Sequence, residues 1–407
     1  MIKKDFIIKR YNEEKIFNKS NSSIIFGRRK VGKTFFVKEQ SNYDYYFFVT
    51  RSNSIFNQNN EELSFETFFE LFKVISKTHI IAIDEFHRLP KNFLDYIHFN
   101  KPKKVILLTS TLWLATKMLE ERDSPLVGIF NPIKFSIVSE IDIIKNLSRL
   151  NLSNIDLFEN SVYLREPVLI EYYDKNIEHT IINFLFNQKY YLKNLVGEIF
   201  SEEGRQFSKI YEGILLAISS GKNISGEIAS FLFSKKLIDK DSPSLIQKNL
   251  EVLVNLGLID KIEVYNKKKF FYKIVSPLFD LYFYLISKYD YVEQDIPKEY
   301  VKEIVKVKFP YHVEDFFNSL FSKLRGLKSV KINKPEVDIA LMKFKKLELI
   351  GEVKWRNEFK NKEDEIYKKL DNFDSKEKII ISKSNIASEI KQIELSEIIE
   401  ECLKYKY

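Results

Sequence analysis

Gly27-Arg28-Arg29-Lys30-Val31-Gly32-Lys33-Thr34 follows the apolar run Ser23-Ile24-Ile25-Phe26 and precedes Phe35-Phe36-Val37-Lys38. It is a complete G-x-x-x-x-G-K-T phosphate loop. A strand that feeds a glycine-bent loop opening a helix turns consecutive backbone N–H groups inward, and so wraps a polyphosphate at the positive end of the helix. In this reading Lys33 reaches the β- and γ-phosphates and the Thr34 hydroxyl holds Mg²⁺. The whole run from Gly27 through Arg28, Arg29, Lys30, Val31, Gly32, Lys33 and Thr34 is therefore expected to bind nucleotide. The chain has 11 glycines in 407 residues, so two at this spacing before Lys-Thr outweigh the alternative of an ordinary basic turn.

Working outward, His79-Ile80-Ile81-Ala82-Ile83-Asp84-Glu85 is a buried-strand run ending in two acids. Parallel α/β sheets place their ligands at that edge. Asp84 would hold the nucleotide's Mg²⁺, and Glu85 would orient or deprotonate the attacking water, because phosphoryl transfer needs positioning more than covalent help. Lys104 to Thr109 reads as a further strand ending in Thr109-Ser110-Thr111. Ser110 there either senses the γ-phosphate or belongs to an N-cap for the helix Leu112-Trp113-Leu114-Ala115. Tyr45 to Val49 and Ile133 to Val138 supply more strands, and their alternation with helical segments predicts an α/β, doubly wound and mostly parallel sheet.

Bulk composition agrees with an enzyme built from several modules. A chain of 407 residues exceeds one ordinary core. Lys and Arg number 65 against 57 Asp and Glu, a net +8 that favours an anionic partner such as nucleic acid. The single cysteine, Cys402, rules out an intrachain disulfide framework and a cysteine-rich zinc site, which fits a reducing cytoplasm. The strongest apolar stretch, Pro277 to Ile286, is short and carries Asp280, so it reads as a buried helix and no membrane partner is expected.

Phe6 to Glu14, Ile25 to Thr34 and Ile83-Asp84-Glu85-Phe86, with Ser124-Pro125-Leu126-Val127-Gly128 and Tyr163-Leu164-Arg165-Glu166-Pro167, resemble the archaeal ATPase family within the AAA+/STAND P-loop superclass. The resemblance spans essentially the whole chain and implies an ATP-dependent protein. An arginine usually follows the Pro-Leu-x-Gly element in that family, whereas this chain has Ile129, which implies slow hydrolysis. The implied organisation is a P-loop core at 1–140, a helical lid at 141–205, a winged helix at 206–275, a helical connector at 276–300 and a PD-(D/E)xK restriction-endonuclease-like domain at 301–407.

The residues of the later modules have their own logic. Segments Phe207 to Ser219, Ile224 to Phe233 and Ser244 to Leu256 have helix start signals and i, i+3, i+4 apolar spacing. Two strand-like runs around Asn266-Lys267-Lys268-Lys269 follow. In a DNA-binding reading Gln247, Lys248, Glu251 and Asn255 occupy the polar face of the third helix and Lys267, Lys268 and Lys269 meet phosphates. A packing or protein-binding role is the equal alternative, and the partner is then a protein or a second copy of the chain.

Near the C-terminus, Val337 to Met342 and Leu349 to Trp355 read as adjacent strands joined by a lysine-rich turn. Period two puts Glu352 and Lys354 on one face, with Asp338 beside them if the hairpin is in register. Asp338 and Glu352 would take Mg²⁺, Lys354 would position or deprotonate water, and Glu314, at the start of a helix expected from Val313, would add a ligand. A half-exposed ionic cluster without metal is the alternative. Eight basic residues from Lys323 to Lys346 surround this pocket. Three functions remain open on these residues: an ATPase that couples nucleotide state to DNA, a nucleotide-dependent switch with protein partners and little turnover, and an ATP-gated, metal-dependent DNA nuclease.

Overall fold

The computed structural model describes residues 7–100, 102–112, 115, 128–355, 363–384 and 390–407. Expectations placed on Phe6, on Trp113-Leu114 and on 124–127 lie outside them. The first layer is made of β1 (Ser23–Phe26), β2 (Tyr45–Val49), β3 (Ile55–Asn57), β4 (Glu62–Leu63), β5 (Ile80–Asp84), β6 (Lys104–Thr109) and β7 (Asn131–Lys134), in the order β4-β3-β2-β5-β6-β1-β7. The five strands from β2 to β7 in that order are parallel, while β3 and β4 extend one edge antiparallel.

Side chains of these strands alternate between two separate cores, as period two demands. Ile24, Ile81, Ile83, Val105 and Leu107 face one cluster with Phe68, Phe72 and Phe93. Ile25, Ala82, Ile106 and Leu108 face the other with Phe17, Phe36 and Phe135. Both faces are covered, which explains why the strands read as unbroken apolar runs. Strand β7 stops at Lys134, shorter than the expected run to Val138.

The helices Glu140–Leu147, Asn154–Leu164, Ile177–Asn187 and Lys189–Glu202 come next. Helices Lys209–Ser219, Ser225–Ser234 and Gln247–Asn255 lie close to the expected segments. The third starts at Gln247 because Pro243–Ile246 forms a 3₁₀ turn. Strands β8 (Ile259–Val264) and β9 (Phe270–Ile274) form an antiparallel hairpin. Helix Pro277–Tyr289 is largely buried, and among the described residues no helix is long and apolar enough to cross a membrane.

The expected helix at Val313 is the second half of one 28-residue helix, Lys298–Arg325, with Pro310 inside it. Its apolar spacing at Val301, Ile304 and Val305 resumes at Val313, Phe316 and Phe317, so one face stays buried across the proline.

The second sheet adds β10 (Lys328–Asn333), β11 (Glu336–Val337), β12 (Ile339–Lys343), β13 (Lys346–Lys354), β14 (Ser375–Ser382) and β15 (Lys391–Gln392). Its order is β15-β14-β13-β12-β10-β8-β9, so the basic hairpin continues the C-terminal sheet through the parallel pair β10–β8. One apolar core runs from Ile8 through the middle helices to this sheet and Cys402. The middle and C-terminal segments thus share their interior, whereas the first sheet has its own.

Candidate functional site

Gly27 has φ +154°, and a Cβ there would lie 2.1 Å from the Phe135 carbonyl oxygen. The loop must therefore pass the chain after β7 at backbone distance, which only glycine permits. Gly32, at φ +92°, turns the chain into the helix Lys33–Gln40. Arg10 braces the loop from outside: its guanidinium donates to the Val31 carbonyl at 2.5 Å and to that of Ser136 at 2.9 Å.

Lys33 is buried and donates to the carbonyls of Gly27 at 2.8 Å and Arg28 at 3.0 Å. Burial lowers its pKa to about 8; Glu85 and Asp84 oppose the change, while Arg29 and Arg28 add to it. Thr34 Oγ1 donates to Asp84 Oδ2 at 2.7 Å, and the Tyr46 hydroxyl donates to the same oxygen at 2.7 Å. Burial and Asp84 push Tyr46 well up, so it remains a donor. The two residues expected on the nucleotide's Mg²⁺ are in direct contact although 50 positions apart.

Strand β6 lies between β1 and β5, so its end falls between the loop and the acids. Glu85, in a left-handed conformation at φ 56°, accepts from Ser110 N at 3.0 Å and Ser110 Oγ at 2.9 Å. A non-glycine residue held there costs about 1–3 kcal/mol, and the Ser110 clamp offsets it. Arg29, Lys30, Val31, Gly32, Lys33, Thr34, Asp84, Glu85 and Ser110 line a cleft of about 1260 Å³. Ile7, Ile8, Val168, Tyr172 and Tyr191 line it as well, giving it an apolar and aromatic wall.

The residues fit a magnesium nucleotide. A buried ammonium whose described partners are neutral carbonyls, a Thr–Asp pair and a loop too tight for a side chain at Gly27 make an anion cradle beside a cation site. The side chain of Arg28 does not enter the cleft lining. It pairs with Glu166 at 2.8 and 3.0 Å, both residues buried, and lies 5.0 Å from the Phe279 ring centroid. Its side chain is a strut to the Tyr163-to-Pro167 element, leaving the loop only its backbone. Ile129 is part-buried against the core that holds Phe68 and Phe93.

Sequence reading did not find Arg51, Arg88 and Glu202. Glu202 accepts from Arg29 at 2.5 Å, Arg51 at 2.8 Å and Arg88 at 2.9 Å. The readable signal was that Arg51 and Arg88 closely follow β2 and β5 at the sheet's carboxyl edge; Glu202 gave none.

The C-terminal residues also meet. Hairpin register pairs Ile339 with Gly351, which sets Asp338 opposite Glu352, and the turn at Phe344-Lys345 has positive φ at both residues. Asp338 Oδ2 accepts from Val353 N at 2.9 Å. Glu352, buried, pairs with Lys354 at 2.6 Å and with Lys369, unforeseen from sequence, at 2.5 Å. Glu314 is half-buried nearby: burial, then Asp338 and Asp315, push its pKa up to about 8. Burial and Glu352 push Asp338 up to about 6. Repelling carboxyls beside a lysine are a donor set that a divalent cation would relieve. Among the described residues, the acid and histidine cluster whose ligand atoms all fall within 4.8 Å is a different one, Glu85, His87 and Glu202.

Of the candidate DNA contacts, Lys248, Lys267, Lys268 and Lys269 are exposed and Gln247 is half-buried. Lys248 lies on the helix Gln247–Asn255, whereas Lys267, Lys268 and Lys269 form the tip of the β8–β9 hairpin, at whose base Tyr265 N donates to the Lys331 carbonyl at 2.9 Å.

Residues 19–137 match the family model described as an AAA domain. That part of the chain is similar to AAA domains, and it contains the cradle, Asp84, Glu85 and Ser110. Among solved structures the chain is similar to the Walker-type ATPase of Pyrococcus abyssi, at 18% identity and TM-score 0.48, covering 68% of this chain and 96% of that one. It is also similar to the Aeropyrum pernix ORC2 protein in its ADPNP and ADP complexes, at 12% identity and TM-score 0.37, covering 71% and 88%. A third is the Aeropyrum pernix ORC1 protein in complex with DNA, at 14% identity and TM-score 0.29, covering 69% and 93%. No curated protein matches.

Proposed function

We propose that the chain is a Mg²⁺-dependent ATPase whose nucleotide state sets how a winged helix, 206–275, and a restriction-endonuclease-like domain, 301–407, engage DNA. The observation that carries this is the contact of Thr34 Oγ1 with Asp84 Oδ2 at 2.7 Å beside the buried Lys33 ammonium. Lys33 and the loop N–H groups bind the phosphates, and Thr34 and Asp84 would hold the magnesium ion, which supplies charge neutralisation when bound. Glu85, aimed by Ser110, orients the attacking water and takes its proton. The aromatic wall with Tyr172 and Tyr191 is where a base would stack. ATP turnover by wild type and Lys33→Ala tests the reading: equal rates remove it. Saturable nucleotide binding without turnover moves it to a regulatory switch with protein partners.

A second reading rests on Glu314 and Asp338. Their upward-shifted carboxyls beside Lys354 favour a metal-dependent nuclease site with Glu352 as a further ligand. Duplex, single-stranded and branched DNA with Mg²⁺ or Mn²⁺ test it, beside Asp338→Ala and Glu352→Ala. Cleavage that persists in both variants ends this reading.

A further inference from the structure

The hydrolysis mechanism leaves one cluster at the edge of the cleft without a part. Glu202 is the last residue of the helix Lys189–Glu202, the end at which the helix dipole disfavours an acid. Its side chain is nonetheless only 4% exposed, enclosed by Arg29, Arg51 and Arg88. Ser110 Oγ adds a contact at 3.2 Å, and Glu198, one turn earlier, meets Arg29 at 3.4 Å.

The origin of the three guanidiniums matters. Arg29 comes from the phosphate loop, Arg51 from the chain leaving β2, and Arg88 from the turn after β5, where it also donates to the Val49 carbonyl at 2.7 Å. All three start from the edge of the sheet where the polyphosphate would lie. Ser110 joins the cluster to Glu85, and Arg29 itself lines the cleft. His87 stands 3.5 Å from Glu85 and 3.9 Å from Glu202, and burial with Arg88 pushes its pKa down to about 4, so it adds no charge. Three guanidiniums against two carboxylates, the enclosed Glu202 and the half-buried Glu198, still leave positive charge in excess. A multiply charged tetrahedral anion satisfies such forks better than a carboxylate does.

We infer that Arg29, Arg51 and Arg88 read the terminal phosphate of a nucleoside triphosphate, and that Glu202 is the built-in anion that holds their place until that phosphate displaces it. The inference rests on the nucleotide-binding reading above. A diphosphate stops short of the cluster and leaves Glu202 seated. A triphosphate competes for the guanidiniums and releases the end of the Lys189–Glu202 helix from the core, which passes the nucleotide state to the lid.

The test is calorimetric binding of ADP and of a non-hydrolysable ATP analogue, each with Mg²⁺, to the full chain. Arg51 has a side chain 61% exposed, so Arg51→Ala leaves the interior intact. Arg51→Ala should weaken the analogue about tenfold and leave ADP unchanged. Glu202→Gln, which keeps shape and loses charge, should tighten the analogue by a similar factor and again leave ADP unchanged. Parallel changes for both nucleotides, no change for either, or weaker analogue binding by Glu202→Gln overturn the inference while the cradle stands. Failure of the wild type to bind either nucleotide overturns both.

Discussion

The cradle at the first sheet and the acidic cluster at the second use the same residue types with opposite deficits. In the cradle the displaced cation is Lys33, lowered to about 8 by burial, beside a Tyr46 hydroxyl that burial and Asp84 push up. In the C-terminal cluster the displaced groups are acids, Glu314 at about 8 and Asp338 at about 6. There Lys354, which burial pulls down, is carried above its usual value by Glu352. One site is short of an anion and the other of a cation. On the proposed readings, these displaced groups match a phosphate at the first site and a divalent cation at the second.

The largest effects separate the two sites outright. Lys33→Ala should lower nucleotide affinity by at least about 100-fold, since it strips a charge-assisted partner from the phosphates. It should leave any Mn²⁺-induced rise in melting temperature, measured without nucleotide, unchanged. Asp338→Ala should do the reverse. Calorimetry and thermal melting on both variants check this, and joint loss in either variant would break the contrast.

Next come two glycines that each abut a carbonyl. Gly27→Ala puts a Cβ 2.1 Å from the Phe135 oxygen, and Gly351→Ala puts one 2.6 Å from Ile379 Cγ1 and 2.9 Å from its oxygen. Each should cost about 1–3 kcal/mol by urea unfolding. The first should also abolish nucleotide binding, while the second, adjacent to Glu352, should abolish the Mn²⁺ response instead.

A smaller effect concerns the joint between the regions. Burial raises the pKa of Glu140, but Arg165 and Lys323 outweigh it and hold it down to about 2. A depressed carboxyl contributes stability that is present above the unfolded value near 4.5 and is lost as pH falls toward 2. Stability should therefore decline by up to about 1.4 kcal/mol per pH unit in that window. Glu140→Gln should flatten the decline, read from urea midpoints between pH 2.5 and 6.

The smallest is at the hairpin tip. Lys268→Ala should leave stability within about 0.5 kcal/mol. If the tip meets DNA phosphate, the slope of log affinity against log salt should fall by about 0.9. An unchanged slope would assign the tip to packing or to a protein partner.

The cradle was legible because its geometry is local. Eight consecutive residues set the bend, the donors and the helix start, and Gly27 and Gly32 carry the two conformations that no other residue adopts cheaply. Asp84 and Glu85 were legible because a strand buried on both faces reads as a continuous apolar run with a polar end. The C-terminal pair was legible on one condition, hairpin register, which is met only because a one-residue register shift between Leu341 and Met342 follows the two-residue turn at Phe344-Lys345; the turn alone would set Asp338 opposite Gly351. The single helix through Pro310 was not, since a proline ordinarily marks a boundary and here the buried stripe continues across it.

Sequence alone determined the chemistry on offer: a phosphate loop, a strand ending in two acids, and a hairpin bearing acids near lysine. All of these are set by neighbours along the chain, through backbone conformation and side-chain period. Tertiary structure alone decided that β6 lies between β1 and β5, that Arg28 turns its side chain to Glu166, and that Glu202 gathers three arginines from distant segments. Strand order and long-range ion pairs follow from how separate elements bury their faces together, and no local stretch of residues contains that information.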